Sequence, residues 1–150
     1  MMRMGQLFSG HPPMKKDSRL RLVNRTRGSQ IAASIEVADS GAKRSKGLLG
    51  RSGLEPGTGI WILPCEAVHT FFMRFAIDLI YLDRDYRIRK LCSDVRPWRL
   101  SGCLRAHSVV ELPAGALRSS EVQVGDFVDF LSLDPTEEIS SEPDSGKVAM

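Results

Sequence analysis

The stretch VHTFFMRFAIDLIYLD, residues 68–83, is the most apolar and aromatic part of the chain. Three groups that can carry a charge interrupt it: His69, Arg74 and Asp78. An isolated charge is costly to bury, so such groups are paired, neutralised or kept near water for a purpose. We therefore expect this stretch to supply central strands and to place a polar site beside them.

Segments with a period of two surround that stretch and predict a mainly β domain. Residues 20–24 and 31–38 alternate apolar with polar side chains, and we expect them to pair as a hairpin. Further strands are predicted at 59–63, 68–73, 77–83, 87–95, 107–112 and 127–133. Asp39 or Ser40 is suited to cap one short helix, 41–49, which glycines weaken. This pattern predicts a small β-sandwich or jelly-roll-like barrel with one short helix.

The composition indicates a single globular domain of ordinary character. The chain has 150 residues, of which 42% are hydrophobic and 26% charged. No run approaches the roughly 18 apolar residues that a membrane-spanning helix requires. Residues 1–16 are basic and broken by glycines and prolines, unlike a secretory signal. Three cysteines, an odd number, fit a reducing compartment, so we expect a cytoplasmic protein.

The charge is spread unevenly along the chain. Residues 1–30 carry a net charge of +6, residues 134–150 carry −4, and the segment between them is nearly neutral at +1. We predict a disordered basic leader at 1–18, a single β domain at 19–133 and a disordered acidic tail at 134–150. A basic leader can touch nucleic acid or an anionic membrane, but a solvated arm is the expectation we prefer.

One candidate set for acid–base chemistry consists of His69, Asp78 and Glu111. A histidine and a carboxylate in a cleft can transfer protons near neutral pH, because burial and neighbouring charges shift their pKa values. The sequence lacks a G-x-S-x-G or H-E-x-x-H motif that would support an enzyme. The alternative is structural: His69 bonds a backbone carbonyl, and a carboxylate pairs with an arginine.

The sequence favours an ion pair between Arg74 and Asp78. Four residues of straight strand would separate them by about 13 Å, so the pair requires a bend near Ala76. A planar guanidinium suits such a buried pair. In the functional alternative Arg74 faces a cleft and, together with Arg51 or Arg99, binds an anionic ligand.

Two further motifs concern metals and partners. Cys65-x3-His69 and Cys103-x3-His107 repeat one spacing and could supply four zinc ligands, but the close cysteine pair of a zinc knuckle is missing. We therefore predict no metal and no cofactor. Trp98, followed by Arg99 in an irregular segment, is suited to contact a partner or to cover a small core. Basic residues at 43–51 lack interleaved aromatics, so the sequence disfavours nucleic-acid binding.

Several short motifs occur together in one order: 46–51 (KGLLGR), 69–74 (HTFFMR), 77–78 (ID), 82–83 (LD), 97–99 (PWR), 111–115 (ELPAG) and 125–126 (GD). Together they resemble the bacterial and archaeal family called domain of unknown function 192, over about residues 22–133. The resemblance implies a compact, mostly β domain of sandwich or jelly-roll type without an established activity. Ala76, where proline is frequent, and Tyr86, where glycine is usual, depart from the pattern.

These observations lead to one functional hypothesis and two alternatives. We expect a domain that binds a small molecule or a protein at a cleft near His69, Arg74 and Asp78. Further candidate ligand-binding residues are Trp98, Arg99, Glu111 and Arg51. The first alternative is an acid–base enzyme that uses His69 with Asp78 or Glu111. The second is a purely structural accessory domain.

Overall fold

The computed structural model describes residues 18–133, so most of the predicted leader and all of the predicted tail lie outside the described residues. The strands are β1 (Arg19–Asn24), β2 (Ser29–Ala38), β3 (Thr58–Ile62), β4 (Ala67–His69), β5 (Ile77–Leu82), β6 (Ile88–Val95), β7 (Leu100–Gly102), β8 (Ser108–Pro113) and β9 (Val128–Ser132). The helices are α1 (Gly41–Lys46) and α2 (Ala116–Ser120). The mainly β class is confirmed, with two short helices where the sequence predicted one.

Seven strands form one sheet in the order β6-β5-β8-β3-β2-β1-β9, and β4 pairs with β7 in a small second sheet. Neighbours are antiparallel except β2 and β3, which run parallel because the chain between them crosses over through α1. The two edge strands meet at one end. The Ile88 N–H donates to the Asp126 carbonyl at 2.8 Å, and the Val128 N–H donates to the Tyr86 carbonyl at 3.0 Å. The sheet therefore curls into a half-barrel.

Residues close together in sequence determine the β1–β2 hairpin and both ends of α1. The predicted hairpin is confirmed: β1 and β2 pair antiparallel up to Asn24 and Ser29, and Gly28 has a positive φ of 68° in the turn. The Ser40 hydroxyl caps α1 by accepting the Lys43 N–H at 3.2 Å. Gly47 stands at the C-cap, so α1 ends three residues before the predicted boundary.

Both faces of the central strands are buried, and each face contributes to its own hydrophobic cluster. In β3 and β5, Trp61 and Ile80 belong to the cluster on the concave side, which also contains Leu117 of α2. Their neighbours Ile62 and Leu79 belong to the cluster on the other side, which the β4–β7 sheet covers together with the segment after α1. This second face carries the candidate site, because Glu111 of β8 alternates with the concave-side residues Val110 and Leu112.

No helix in the described part of the chain is both long enough and apolar enough to cross a membrane.

Candidate functional site

A cavity of about 660 Å³ opens between the segment that follows β2 and the loops around β4. Its lining combines residues that are distant in sequence: 44–46 and 48–49 from α1 and the turn after it, 62 and 64–69 from the end of β3 to β4, and 106–107 before β8. Met73, Arg84 and Glu111 complete it. A cavity of this size is in the range of pockets that hold small molecules.

Glu111 is the buried acid of this cavity. Its cross-strand neighbours are Ile60 and Leu79, and only 5% of its surface is exposed. Its Oε2 atom is buried and has no hydrogen-bond partner among the described residues. Burial raises the pKa of Glu111 to about 7, although the nearby Arg51 charge acts in the opposite direction. A buried carboxyl group without a partner is costly and often marks a binding or catalytic position.

Arg51 does not neutralise Glu111, because its guanidinium is engaged elsewhere. It donates to Oε2 of Glu36 at 2.8 Å, and it does not line the cavity. Arg51, a predicted ligand-binding residue, therefore lies beside the site rather than in it.

Cys65 lies in the cavity wall as a neutral thiol. Its main-chain N–H donates to the His107 carbonyl at 2.8 Å, and its thiol donates to the Ala67 carbonyl at 3.1 Å. Burial, and then the Glu111 charge, raise the pKa of Cys65 above its usual value despite the bond to Ala67. Because the nucleophilic form of cysteine is the thiolate, this environment does not prepare Cys65 for nucleophilic attack.

The lining is rich in cations. Arg44, Lys46 and Arg84 contribute to it, and none of them forms an ion pair with a carboxylate among the described residues. Arg44 is held in place by the carbonyls of Asp39 and Leu63, at 2.9 and 3.4 Å. The cavity therefore combines a buried acid with a positively charged lining.

The predicted ion pair between Arg74 and Asp78 is wrong. Asp78 is buried, and its carboxylate accepts three main-chain N–H groups: Asp94 at 2.8 Å, Gly115 at 3.1 Å and Leu117 at 3.0 Å. Arg74 is exposed and forms no ion pair with a described residue. Backbone donors reach both oxygens of this carboxylate, so Asp78 has the geometry of a structural brace.

The structure brings His69 and Glu111 to one cavity, whereas Asp78 lies on the opposite face of the sheet. Asp78 faces Leu112 across the β5–β8 pairing, on the concave side, and Glu111 faces Leu79 on the other side. Of the two acid–base pairs that the sequence suggested, only His69 with Glu111 shares a cavity.

His69 also connects the cavity to the predicted Trp98 and Arg99. The His69 ring lies 5.1 Å from the Phe71 ring, which lies 5.9 Å from the Trp98 ring, measured between centroids. Trp98 and Arg99 are exposed, and neither lines the cavity. Trp98 is therefore a surface residue and is not packed into the end of the hydrophobic core.

Within residues 18–133 the structure places no three histidine, cysteine, aspartate or glutamate side chains in a group that could hold a metal ion. The cysteines considered as zinc ligands, Cys65 and Cys103, are free thiols, as is Cys92.

The sequence did not identify the basic part of the cavity. In the sequence, Arg44 belongs only to the group of basic residues at 43–51, and Arg84 falls between two predicted strands. The usable signal was the single acid in the otherwise apolar run Val109–Leu112, because both faces of such a strand are buried. The meeting of α1 with the loop before β8 depends on the parallel crossover, which has no local signature.

The fold and site define a class: a small mainly β domain with a half-barrel sheet and a cavity on the outer face of that sheet. The family model DUF192, described as "Uncharacterized ACR, COG1430", matches residues 22–130. The chain belongs to this family, as its motifs suggested. Two similar proteins are the UPF0127 protein TK1120 of Thermococcus kodakarensis and the UPF0127 protein PF1050 of Pyrococcus furiosus. The first is 32% identical, and the match covers 78% of this chain and 75% of the length of that protein. The second is 34% identical, and the match covers 73% of this chain and 97% of the length of that protein.

Two crystal structures share the fold. A Sinorhizobium meliloti 1021 protein, proposed to be a transcription regulator, superposes with a TM-score of 0.67 and 21% identity, over 76% of this chain and 93% of its own. A protein of unknown function from Novosphingobium aromaticivorans DSM 12444 superposes with a TM-score of 0.65 and 19% identity, over 74% and 83%. At this identity the likeness establishes the fold alone.

Proposed function

We propose that this domain binds a small anionic molecule in the cavity between α1 and β8. The observation that carries the proposal is the Oε2 atom of Glu111, which is buried in the wall of an open cavity without a hydrogen-bond partner among the described residues. A ligand that donates a hydrogen bond to Oε2 would relieve this cost, which is about 1–3 kcal/mol for an unsatisfied buried group.

The cations in the cavity lining favour an anionic ligand. Arg44, Lys46 and Arg84 can bind a carboxylate or phosphate group, since no described carboxylate neutralises them. His69, exposed in the same lining, adds a hydrogen-bonding ring. The favoured ligand thus has an anionic group and, separated from it, a hydroxyl or amine that reaches Glu111.

Thermal unfolding in the presence of small hydroxy acids, amino acids and sugar phosphates tests this proposal. A ligand that binds the folded state raises the melting temperature by mass action. We expect the increase in wild-type protein and its loss in Glu111→Gln and Arg44→Gln. Arg118→Gln is the matched control, because Arg118 is an exposed arginine of α2 outside the cavity. A compound that stabilises all four proteins equally, or no stabilisation across the set, would contradict the proposal.

Acid–base catalysis is the second candidate, because a pKa of about 7 suits Glu111 for proton transfer at neutral pH. His69 would be its partner in the same cavity. Each compound that stabilises the protein should then be incubated with it and analysed by mass spectrometry. Conversion by the wild type and not by Glu111→Gln would favour the enzyme, and binding without conversion would favour the binding domain.

A purely structural domain is the remaining alternative, and the bracing role of Asp78 is consistent with it. Such a domain would show no selective ligand, and Glu111→Gln would then be a neutral or stabilising change without other consequence.

A further inference from the structure

A second surface, outside the cavity, exposes large apolar side chains. Phe71, Phe72, Trp98 and Leu100 are 37%, 72%, 56% and 75% exposed, and we call them the aromatic patch. Phe71 and Phe72 follow β4, Trp98 precedes β7 and Leu100 begins it, and none of them lines the cavity. A contiguous group of exposed aromatic side chains on a small domain usually marks an interaction surface.

The backbone beneath the patch is firmly held. Thr70 is almost completely buried, and its hydroxyl donates to the Arg96 carbonyl at 2.7 Å and accepts the Arg99 N–H at 2.8 Å. Its carbonyl accepts the Trp98 N–H at 3.0 Å. The two turns are therefore joined through one residue, and the patch is preformed rather than assembled on contact.

Two of the patch residues have left-handed backbone conformations. The φ angles of Phe72 and Trp98 are 63° and 64°, and their rings meet edge to face at 4.7 Å. Bulky side chains rarely adopt this conformation, and such strain tends to concentrate at functional sites. Here the strain presents both rings to solvent.

Arginines flank the aromatic rings. Arg74, Arg96 and Arg99 are exposed on the same two turns. Asp94 approaches Arg96 to only 3.9 Å, with both side chains exposed, and Arg74 and Arg99 have no ion pair with a described carboxylate. An exposed contact of that length contributes little, so the patch remains positively charged and suits an anionic partner.

The arrangement of the rings distinguishes between anionic partners. Two of the three ring contacts, His69 with Phe71 and Phe71 with Trp98, are stacked with an interplanar angle of 28°. Phe71 already stacks with both His69 and Trp98, so its ring is less available than a free one for stacking with the bases of a single-stranded nucleic acid. A bilayer surface requires only apolar rings at the headgroup level and cations beside them.

We propose that the aromatic patch docks this domain onto the surface of an anionic lipid bilayer, with Phe72 and Trp98 entering the headgroup region and the arginines contacting lipid phosphates. The patch lies beside His69 in the cavity lining. Docking would therefore place the mouth of the cavity near the membrane surface.

Sedimentation of the full chain with vesicles tests the proposal. We expect binding to vesicles of equal parts phosphatidylcholine and phosphatidylglycerol, and little binding to phosphatidylcholine alone. Tryptophan fluorescence gives a second readout, because Trp61 is 1% exposed whereas Trp98 is 56% exposed. A blue shift on adding anionic vesicles, absent from Trp98→Asn, would report burial of Trp98.

Substitutions separate the patch from other basic parts of the chain. Phe72→Asn should weaken vesicle binding on the order of tenfold, since asparagine accepts a left-handed backbone but removes the ring. Its control is Leu104→Asn, a residue 94% exposed and outside the patch. Arg74→Gln with Arg99→Gln should weaken binding on the order of tenfold or more, compared with Arg105→Gln and Arg118→Gln.

Three results would overturn the proposal. The first is the absence of binding to anionic vesicles. The second is binding that the patch substitutions leave unchanged, which would assign it to basic residues elsewhere in the chain. The third is patch-dependent binding of a single-stranded oligothymidylate without binding to vesicles, which would identify nucleic acid as the partner.

Discussion

The Leu117 main-chain N–H donates to the Asp78 carboxylate at 3.0 Å, joining residues that lie 39 positions apart in sequence. The same oxygen, Oδ2, accepts the Gly115 N–H, while Oδ1 accepts the Asp94 N–H. One carboxylate thus holds the start of α2 and the end of β6 against β5. The acid inside the apolar stretch is explained by backbone donors rather than by a cation.

Asp78→Asn is expected to destabilise the fold by about 1–3 kcal/mol, because an amide nitrogen would face a backbone N–H donor at one of the two oxygen positions. Arg74→Gln should leave the free energy of unfolding within about 0.5 kcal/mol of wild type, since Arg74 is exposed. Urea denaturation measures both values. If Arg74→Gln were as costly as Asp78→Asn, the two residues would be coupled after all.

Glu111 should make stability fall as pH rises. Its pKa is raised from 4.5 to about 7 in the folded state, so the folded protein binds more protons than the unfolded chain between these values. Across this pH window the free energy of unfolding falls by roughly 3 kcal/mol. The stabilisation from the neutral acid is complete below about pH 4.5 and is lost by about pH 7.

Glu111→Gln removes this dependence, so we expect it to be more stable than wild type at pH 8 and similar at pH 4.5. Denaturation curves at both pH values measure the difference, and Glu66→Gln, an exposed acid of the same lining, is the control. A variant less stable than wild type at pH 8 would show that Glu111 is ionised and well paired.

Sequence patterns predicted most strands because period two is a local property. The strand around Ile35 and the cap at Ser40 depend on nearby residues alone, and both agree with the structure. The strict alternation does not hold, because Ala32 is buried and Ala33 is exposed. β7 was missed because its three residues carry no period of their own and form a strand only by pairing with β4. The Arg74–Asp78 pair was wrong for a related reason: backbone N–H groups are acceptable partners for a carboxylate, and side-chain identities do not reveal them.

The residues of the cavity show the same limit of prediction from sequence. Glu111 and His69 were identified as candidates from chemistry alone, but only the pairing of β5 with β8 assigns Glu111 and Asp78 to opposite faces. A shift of one residue in that register would exchange the faces, so chemical candidates cannot be grouped into a site before the sheet is known.

Gly59→Ala should destabilise the protein by about 1–3 kcal/mol. A β-carbon at this position would lie 2.6 Å from the Glu111 carbonyl oxygen and 2.7 Å from a Leu112 methyl group, where β3 and β8 pack closely. Gly53→Ala is the control, because a β-carbon there meets nothing within 4 Å and φ is not positive. Chemical denaturation compares the two, and equal stabilities would mean that the strands can separate without cost.

Asp126 should make the protein sensitive to acid. Burial alone would raise its pKa, but hydrogen bonds from Arg27, Asn24 and the Gln123 N–H hold the pKa below its usual value. Stability from this depressed pKa is present above the unfolded value of about 3.9 and is lost as pH falls through the folded value. The melting temperature of wild type should therefore decline in this acid range more steeply than that of Asp126→Asn.

Asp129→Asn serves as the comparison for Asp126→Asn, because Asp129 approaches Arg25 to only 3.9 Å with both side chains partly exposed. At pH 7 we expect Asp126→Asn to cost about 1–3 kcal/mol and Asp129→Asn less than about 1 kcal/mol. Similar costs for both would assign the acid sensitivity to overall charge.

The turn at Phe72 holds a bulky residue in a left-handed backbone conformation. Its φ of 63° disfavours any residue with a β-carbon, so Phe72→Gly should be more stable than Phe72→Ala by up to about 1 kcal/mol. At Phe71, which has no positive φ, the order should reverse, because glycine there only adds freedom to the unfolded chain. Both comparisons remove a ring in each variant, so the backbone alone separates them. If the alanine variant were the more stable one at both positions, the Phe72 turn would be unstrained. Backbone strain would then no longer be evidence that the aromatic patch is a functional surface.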